Sequence, residues 1–449
     1  MKFGGTSVQD TEAFARVAEI VKGESENSPI VVTSAMAKVT DALLSAFETA
    51  KKGDADAAFE SLEVHFARHY KVAEDLLRGE PQYKSFEDEM NFARTELKDL
   101  LMRVMRRSLP LSMLKDAIVS YGEQLSSRLL TFVCQVKGLN ARHADSRRLI
   151  ITDDEFGSAA PIWDETRDLI RLELQPLIKA GEIPVMGGFI AANRSGETTT
   201  LGRGGSDYSA ALVGAALEAR EIQIWTDVTG VLTCDPRICP DARTLRTLSY
   251  EEAAELAYFG AKVLHPKTIQ PAVDLQIPVR VCNSHEPAER GTMILPSSQS
   301  TRRKVKSIAY KKGITILHIT SARMLGAYGF MSAIFQIFER HRTVVDVVTT
   351  SEVSVSLTLD NTDALDAVVR DLSRIGKVSI ERDQAVVCVV GAGLRETAGV
   401  AAEIFAAIAN FNISLISHGA SSVNLTFVVK EEIVGDVIKR LHSEFFTER

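Results

Sequence analysis

Short apolar runs alternate with longer amphipathic stretches over the first two-thirds of the chain. PIVVTSAM (29–36), IPVMGGFIAA (183–192), EIQIWTDV (221–228) and IPVRVCN (277–283) are rich in β-branched residues and end in small, polar or glycine-rich segments. Runs of this kind predict strands covered on both faces. Between Asp54 and Arg107 the pattern lengthens into charged, amphipathic helix with few glycines and one proline. Strands alternating with helices predict an α/β fold, a mostly parallel sheet flanked by helices. Ligands in such folds sit beyond the carboxyl ends of the strands, where the polar segments begin.

The last third reads differently. GFMSAIFQIFERHRTVVDVVTTSEVSVSLTL (329–359) aligns without a gap on GVAAEIFAAIANFNISLISHGASSVNLTFVV (399–429), at a constant offset of 70 positions. Gly329/Gly399, Ile334/Ile404, Phe335/Phe405, Ser351/Ser421 and Val353/Val423 coincide. The shared apolar pattern is a helix followed by two alternating strands. A strand precedes each copy (313–320 and 385–391) and a helix follows it (363–372 and 434–445), so a small α+β unit is duplicated. Units this short suit dimerisation or ligand sensing rather than catalysis.

Composition narrows the classes. The chain has 449 residues, 45% hydrophobic and 25% charged, as in ordinary soluble proteins. A net charge of −7 argues against a nucleic-acid binder. No apolar run is long enough for a membrane span, and the first residues lack the core of a signal peptide, so a cytoplasmic protein is expected. The five cysteines are odd in number and scattered; Cys234 and Cys239 are close, but no second Cys/His pair follows at zinc spacing. They are expected to be reduced, buried thiols. The basic run Arg302–Lys312 is expected to be a solvated connection.

Five segments carry candidate chemistry. In KFGGTS, from Lys2, adjacent glycines let backbone N–H groups approach phosphate oxygens beside a lysine, although Gly-Gly turns are common. In TTTLGRGGSDYSAAL (198–212), glycines flank Arg203 and then Ser206 and Asp207 open a helix. A helix cap alone leaves the arginine and the second glycine pair unexplained, whereas an anion site at a helix N-terminus explains both. WTDVTGVLTCDPR (225–237) sets Thr226 and Asp227 at a strand end and Asp235–Arg237 in a turn; FGAKVLHP (259–266) sets Lys262 in a helix that Pro266 ends; YGEQLSS (121–127) carries Glu123 near a helix start. Each has a plain structural reading when taken alone.

In this order, KFGGTSV, TTTLGRGGSDY, WTDVTGVLTCDPR, FGAKVLHP, TTSEVSVSLTLD and SHGASSVNLTF resemble the aspartate kinases over nearly the whole chain, and the monofunctional, lysine-sensitive members most. The resemblance implies an amino-acid-kinase domain (1–298) followed by two ACT regulatory domains. The first ACT domain (313–385) is inserted in the second (299–312 with 386–449), which the strand VKSIAYK (305–311) completes. It implies transfer of the ATP γ-phosphoryl group, with Mg²⁺, to the side-chain carboxylate of L-aspartate. The product is 4-phospho-L-aspartate, on the route to lysine, threonine and methionine.

By the same resemblance, Lys2 and Asp207 are catalytic. Thr40, Glu123, Phe189, Arg203 and Ser206 surround aspartate, with Glu123 on its ammonium and Arg203 on its α-carboxylate. Gly4, Gly5, Thr226, Asp227, Leu232, Arg237 and Lys262 hold the nucleotide, Leu232 standing where relatives often carry an aromatic residue. Met324, Gly329, Phe330, Met331, Val344, Asp346, Ser351 and Glu352 are the implied lysine site, and Gly326 and Ala327 stand where some bacterial members carry His and Ser. At the repeat offset Asp346 becomes Ile416 and Glu352 becomes Ser422, so only the first copy offers carboxylates to a diamine. A homo-oligomer assembled through the ACT domains is implied as well.

Overall fold

The computed structural model describes residues 1–260, 266–297, 304–326 and 328–447. They form two compact units. The first holds 1–231, 246–248 and 266–297, and the second holds 232–245, 249–260 and the rest of the chain.

The first unit contains β1 (Lys2–Phe3), β2 (Val31–Thr33), β3 (Ala141–Ala144), β4 (Ile151–Thr152), β5 (Ile183–Gly187), β6 (Ile190–Asn193), β7 (Thr198–Thr200), β8 (Ile222–Thr226), β9 (Thr247–Ser249), β10 (Val279–Asn283) and β11 (Thr292–Leu295). Eight of them form one sheet in the order β3-β5-β2-β1-β8-β10-β11-β9. Pairing is parallel from β3 to β10, as the apolar runs predict, and β11 joins antiparallel. The strands are short and nearly all buried because helices cover them. In the helix Pro81–Arg106 the buried positions Phe86, Met90, Ala93, Leu97, Leu101 and Val104 recur every three or four residues, which presents one apolar stripe.

The run IPVMGGFIAA does not form one strand. It divides at Gly188 and Phe189 into β5 of the large sheet and β6 of a three-stranded sheet, β4-β6-β7. Phe189 adopts φ +65°. A Cβ on Gly188 would stand 2.6 Å from Ser206 Cβ, so the chain turns where a helix N-terminus approaches too closely for a side chain.

The second unit is built on two long strands, β12 (Ser307–Thr320) and β15 (Lys377–Val390), paired antiparallel along their length. With β13 (Val348–Thr350), β14 (Ser354–Leu359), β16 (Leu415–His418) and β17 (Asn424–Lys430) they give the order β13-β14-β12-β15-β17-β16. Residues 315–320 pair with β14, whereas residues 384–390 pair with β17. Each long strand thus serves both repeats, and the pairing shifts register between Lys311 and Ile316, where one repeat hands over to the other. Helices Phe330–Arg340 and Leu365–Leu372 bury Ile334, Phe338, Val368 and Leu372 against Leu317, Ile319 and Leu357. Val400–Ala407 and Val434–Phe446 do the same for the other half with Ile404, Val437 and Leu441 against Val387 and Phe427.

The basic run is not a solvated connection where it is described. Val305, Lys306, Ser307, Ile308 and Ala309 are buried. Lys306 Nζ lies 2.8 Å from Glu252 Oε2, with side chains 4% and 0% exposed. Glu252 also accepts the Ser249 N–H in a capping box at the start of the helix Tyr250–Tyr258. A lysine there is tolerated because its counter-charge is already built into a helix start. Glu252→Gln keeps the cap and leaves the ammonium unpaired. It is expected to cost about 3–5 kcal/mol in urea unfolding of this unit, and adding Lys306→Met should recover most of that loss. An unchanged unfolding midpoint in the single variant would show the pair to be dispensable.

Candidate active site

Parallel strands point their carboxyl ends to one edge, and there the first unit gathers its candidate residues. Gly4 and Gly5 follow β1, Ser34–Lys38 follow β2, Gly188 and Phe189 follow β5, and Asp227 follows β8. The helix Gly205–Ala216 starts at the same edge, entered through Gly204 at φ +73°. A cavity of about 640 Å³ opens here, lined by Lys2, Gly5, Thr40, Glu123, Phe189, Arg203, Ser206 and Asp207, among others.

Lys2 Nζ lies 2.8 Å from Asp207 Oδ1, and both side chains are largely buried. This pair ties the first strand to the first turn of the helix Gly205–Ala216. A Cβ on Gly5 would meet the Ala35 carbonyl at 2.9 Å, so the glycine turn is pressed against the loop after β2. Glu123 is 4% exposed, in the first turn of the helix Tyr121–Val136. Its Oε2 is buried and has no hydrogen-bond partner among the described residues. Burial pushes its carboxyl up to about 8, against the opposing pull of the backbone N–H groups of Ala35 and Glu123. Arg203, in the same cavity lining, is exposed, with no ion pair or hydrogen bond among the described residues. One buried acid and one free guanidinium face a space that also holds Lys2. That arrangement takes a small zwitterion and sets a further anion beside an ammonium.

The sequence did not indicate the supports of this cavity. Arg68 donates to the carbonyls of Gln9 and Ala37, at 2.9 Å each, pinning the turn after β1 to the loop after β2. Buried Asp116 accepts N–H groups from Gly157 and Thr200 at 2.8 Å, holding the end of β7 that leads into the Arg203 loop. Ser34, Lys38 and Asp41 also line the cavity. Their only local signal is a run of small residues after a strand, and the positive φ of Lys38 is invisible in sequence.

The nucleotide candidates are divided. At the end of β8, Thr226 Oγ1 donates to Asp227 Oδ1 at 3.1 Å. Leu232 and Arg237 belong to the second unit. There the exposed Arg237 is engaged by Asp235, through its backbone N–H at 2.9 Å and its guanidinium at 2.7 Å. Lys262 lies outside the described residues.

Among the effector candidates, Gly329 caps the helix on which Phe330 and Met331 form the first turn, and Met324 ends a short 3-10 turn before it. Val344 is exposed. The Asp346 carboxyl accepts a hydrogen bond from the Tyr258 hydroxyl, and its Oδ2 stands 3.8 Å from Lys311 Nζ with no hydrogen-bond partner among the described residues. Burial raises its pKa. Ser351 bonds Ser354 across the β13–β14 turn, next to the exposed Glu352. In the other repeat Ile416 is 46% exposed, and Ser422 bonds Glu251 at 3.4 Å.

The raised carboxyl of Glu123 has a consequence for stability. The folded chain holds this proton to about pH 8, whereas a free carboxyl loses it near its ordinary value of 4.5. Stability from the neutral form is therefore complete below the ordinary value and drains away as pH rises through the folded one. Glu123→Gln carries no such proton, so its ligand-free melting temperature should gain on the wild type between about pH 5 and about pH 8.5. A constant difference across that range would mean that Glu123 is ionised in the folded chain throughout.

The amino acid kinase family model matches residues 1–283, and an ACT domain model matches 387–445. The chain is 37% identical to the lysine-sensitive aspartokinase 3 of Escherichia coli, covering 99% of this chain and 98% of that protein. It is 38% identical to the chloroplastic aspartokinase 3 of Arabidopsis thaliana, covering 99% and 81%. Its structure matches E. coli aspartokinase III in complex with aspartate and ADP with a TM-score of 0.83, at 37% identity and 99% coverage of both chains. The lysine and aspartate complex of the same protein gives the same TM-score, 0.83. Glycine turn, charged pair, cavity and full-length likeness agree, and the chain belongs to the aspartokinase family.

Proposed function

We propose that this protein transfers the γ-phosphoryl group of ATP to the side-chain carboxylate of L-aspartate. The observation that carries the reading is that Glu123, whose Oε2 has no hydrogen-bond partner among the described residues, lines the same cavity as Lys2 and Arg203. An α-ammonium supplies the missing counter-charge to Glu123, and the Arg203 fork suits an α-carboxylate. The remaining carboxylate is ionised at neutral pH and attacks without a general base. Attack by an anion on a phosphoryl group concentrates negative charge, which Lys2 and the N–H groups of the glycine turn offset. Asp207 fixes the lysine ammonium in place.

The cavity lining offers Asp207 and Asp41 besides Glu123 as carboxylates, too few for an all-protein Mg²⁺ cage. This fits a cation that keeps its waters and binds chiefly through nucleotide phosphates, with Asp207 the nearest acid to Lys2. Bound there, Mg²⁺ would neutralise phosphate charge. Family likeness adds Thr40, Phe189 and Ser206 to the aspartate side. It adds Gly4, Gly5, Thr226, Asp227, Leu232, Arg237 and Lys262 to the nucleotide side. The same likeness supports a kinase domain over 1–298, a first ACT domain over 313–385 and a second over 299–312 with 386–449. A cytoplasmic homo-oligomer joined through the ACT domains completes the proposal. Among the described residues, no helix is long and apolar enough to cross a membrane.

ATP consumption measured with aspartate, glutamate and N-acetylglutamate tests the substrate. Aspartate should be used and acetylglutamate, which has no ammonium for Glu123, should not. Lys2→Ala should lower turnover by about 10²–10³ while nucleotide affinity changes less. Near-normal turnover in that variant would remove Lys2 from the chemistry.

The regulatory part of the proposal is feedback inhibition by L-lysine at the first repeat, through Met324, Gly329, Phe330, Met331, Val344, Asp346, Ser351 and Glu352. It is supported by Oδ2 of Asp346, which has Lys311 Nζ at 3.8 Å but no hydrogen-bond partner among the described residues and which a closer ammonium would satisfy, and by the apolar Ile416 at the matching position. Glu352→Ala should raise the lysine concentration for half inhibition about tenfold or more. Lysine without effect on the wild-type rate, with threonine inhibiting instead, would overturn the effector assignment.

A further inference from the structure

Three buried side chains that neither the phosphoryl-transfer chemistry nor the effector site uses meet in the second unit. Cys234 and Cys239 lie in the segment 232–245, and His442 lies in the helix Val434–Phe446, some two hundred residues later. Their ligand atoms all fall within 4.8 Å of one another, and the residues are 4%, 3% and 3% exposed. The sequence alone showed two near cysteines and no partner pair, because the third group comes from a remote helix.

We propose that Cys234, Cys239 and His442 form a binding site for a thiolate-preferring divalent cation, of which zinc is the best match. Two thiols and an imidazole are the donor set of structural zinc sites. Two thiolates would balance the charge of the ion, so the loaded site is neutral and suits its apolar surroundings of Val305, Ile308, Leu441 and Phe446. Both ring nitrogens of His442 have an oxygen nearby. Nε2 is 3.0 Å from Thr233 Oγ1 and Nδ1 is 3.6 Å from Asp241 Oδ1, so whichever nitrogen ligates, the other has a group to orient the ring. The Phe446 ring stacks on the imidazole at 4.8 Å and limits its rotation. Three protein ligands leave the fourth position to solvent or to the Asp241 carboxylate.

The site would clip a loop to the last helix of the unit. That loop carries Arg237 between its two cysteines, so the ion would fix the segment bearing one of the nucleotide candidates.

The test uses the full chain, purified without a metal-affinity step after growth with added zinc. Elemental analysis is expected to find about one zinc per chain, lost in Cys239→Ser and in the milder His442→Gln. After chelation of the wild type, added Co²⁺ should produce a thiolate-to-cobalt charge-transfer band and raise the thermal midpoint. A wild-type chain that holds no zinc and gives no cobalt band overturns the proposal. So does a chain whose two cysteines are joined to each other by a disulfide with no metal bound.

Discussion

A charge removed from water has to find a counter-charge, and much of this protein is arranged around that requirement. In the first unit the Lys2 ammonium meets Asp207 at 2.8 Å, which binds the first strand to the helix that opens on the cavity. In the second, Lys306 meets Glu252 at the same distance with both side chains buried. Glu123 and Asp346 find no such close cation among the described residues. Glu123 keeps an oxygen without a partner, and Asp346 has only a tyrosine hydroxyl and a lysine at 3.8 Å. Isolated buried carboxylates are expensive unless neutral or paired. These are accordingly the positions where an ammonium from outside has most to offer, and the substrate and the effector each carry one.

The duplicated unit was legible because its signal is internal. A constant offset with matching apolar periodicity survives low identity, and the structure returns it as two halves of one sheet. The parallel arrangement of the first unit was legible for a similar reason, since buried strands and amphipathic helices leave different periods. The break inside IPVMGGFIAA was less accessible. It depends on how near Ser206 comes to Gly188, a distance set by packing and not by any local preference.

The candidate site was read mainly from linked motifs, and the structure brings together the catalytic candidates Lys2 and Asp207 with Thr40, Glu123, Phe189, Arg203 and Ser206, which line one cavity. What the sequence concealed was support and long-range partnership. Arg68 and Asp116 act through backbone groups, which carry no residue identity to recognise. Lys306 reads as one more residue of a basic run until Glu252 is seen beside it. The Cys234–Cys239 pair likewise gains its third member only when the chain is folded.

The sharing of β12 and β15 bears on how such a regulatory unit can change over time. Residues 307–311 complete the sheet of the later repeat, while residues 377–381 close that of the earlier one. The earlier copy is therefore contiguous, whereas the later one draws a strand from chain that precedes it. A cut between the two would strip the later copy of residues 307–311 and leave residues 386–390 as a raw edge open to pairing with foreign chains. The later copy thus cannot be inherited without the chain that leads into the earlier one, and divergence is left to side chains such as Asp346 and Ile416, which can alter without disturbing the shared frame.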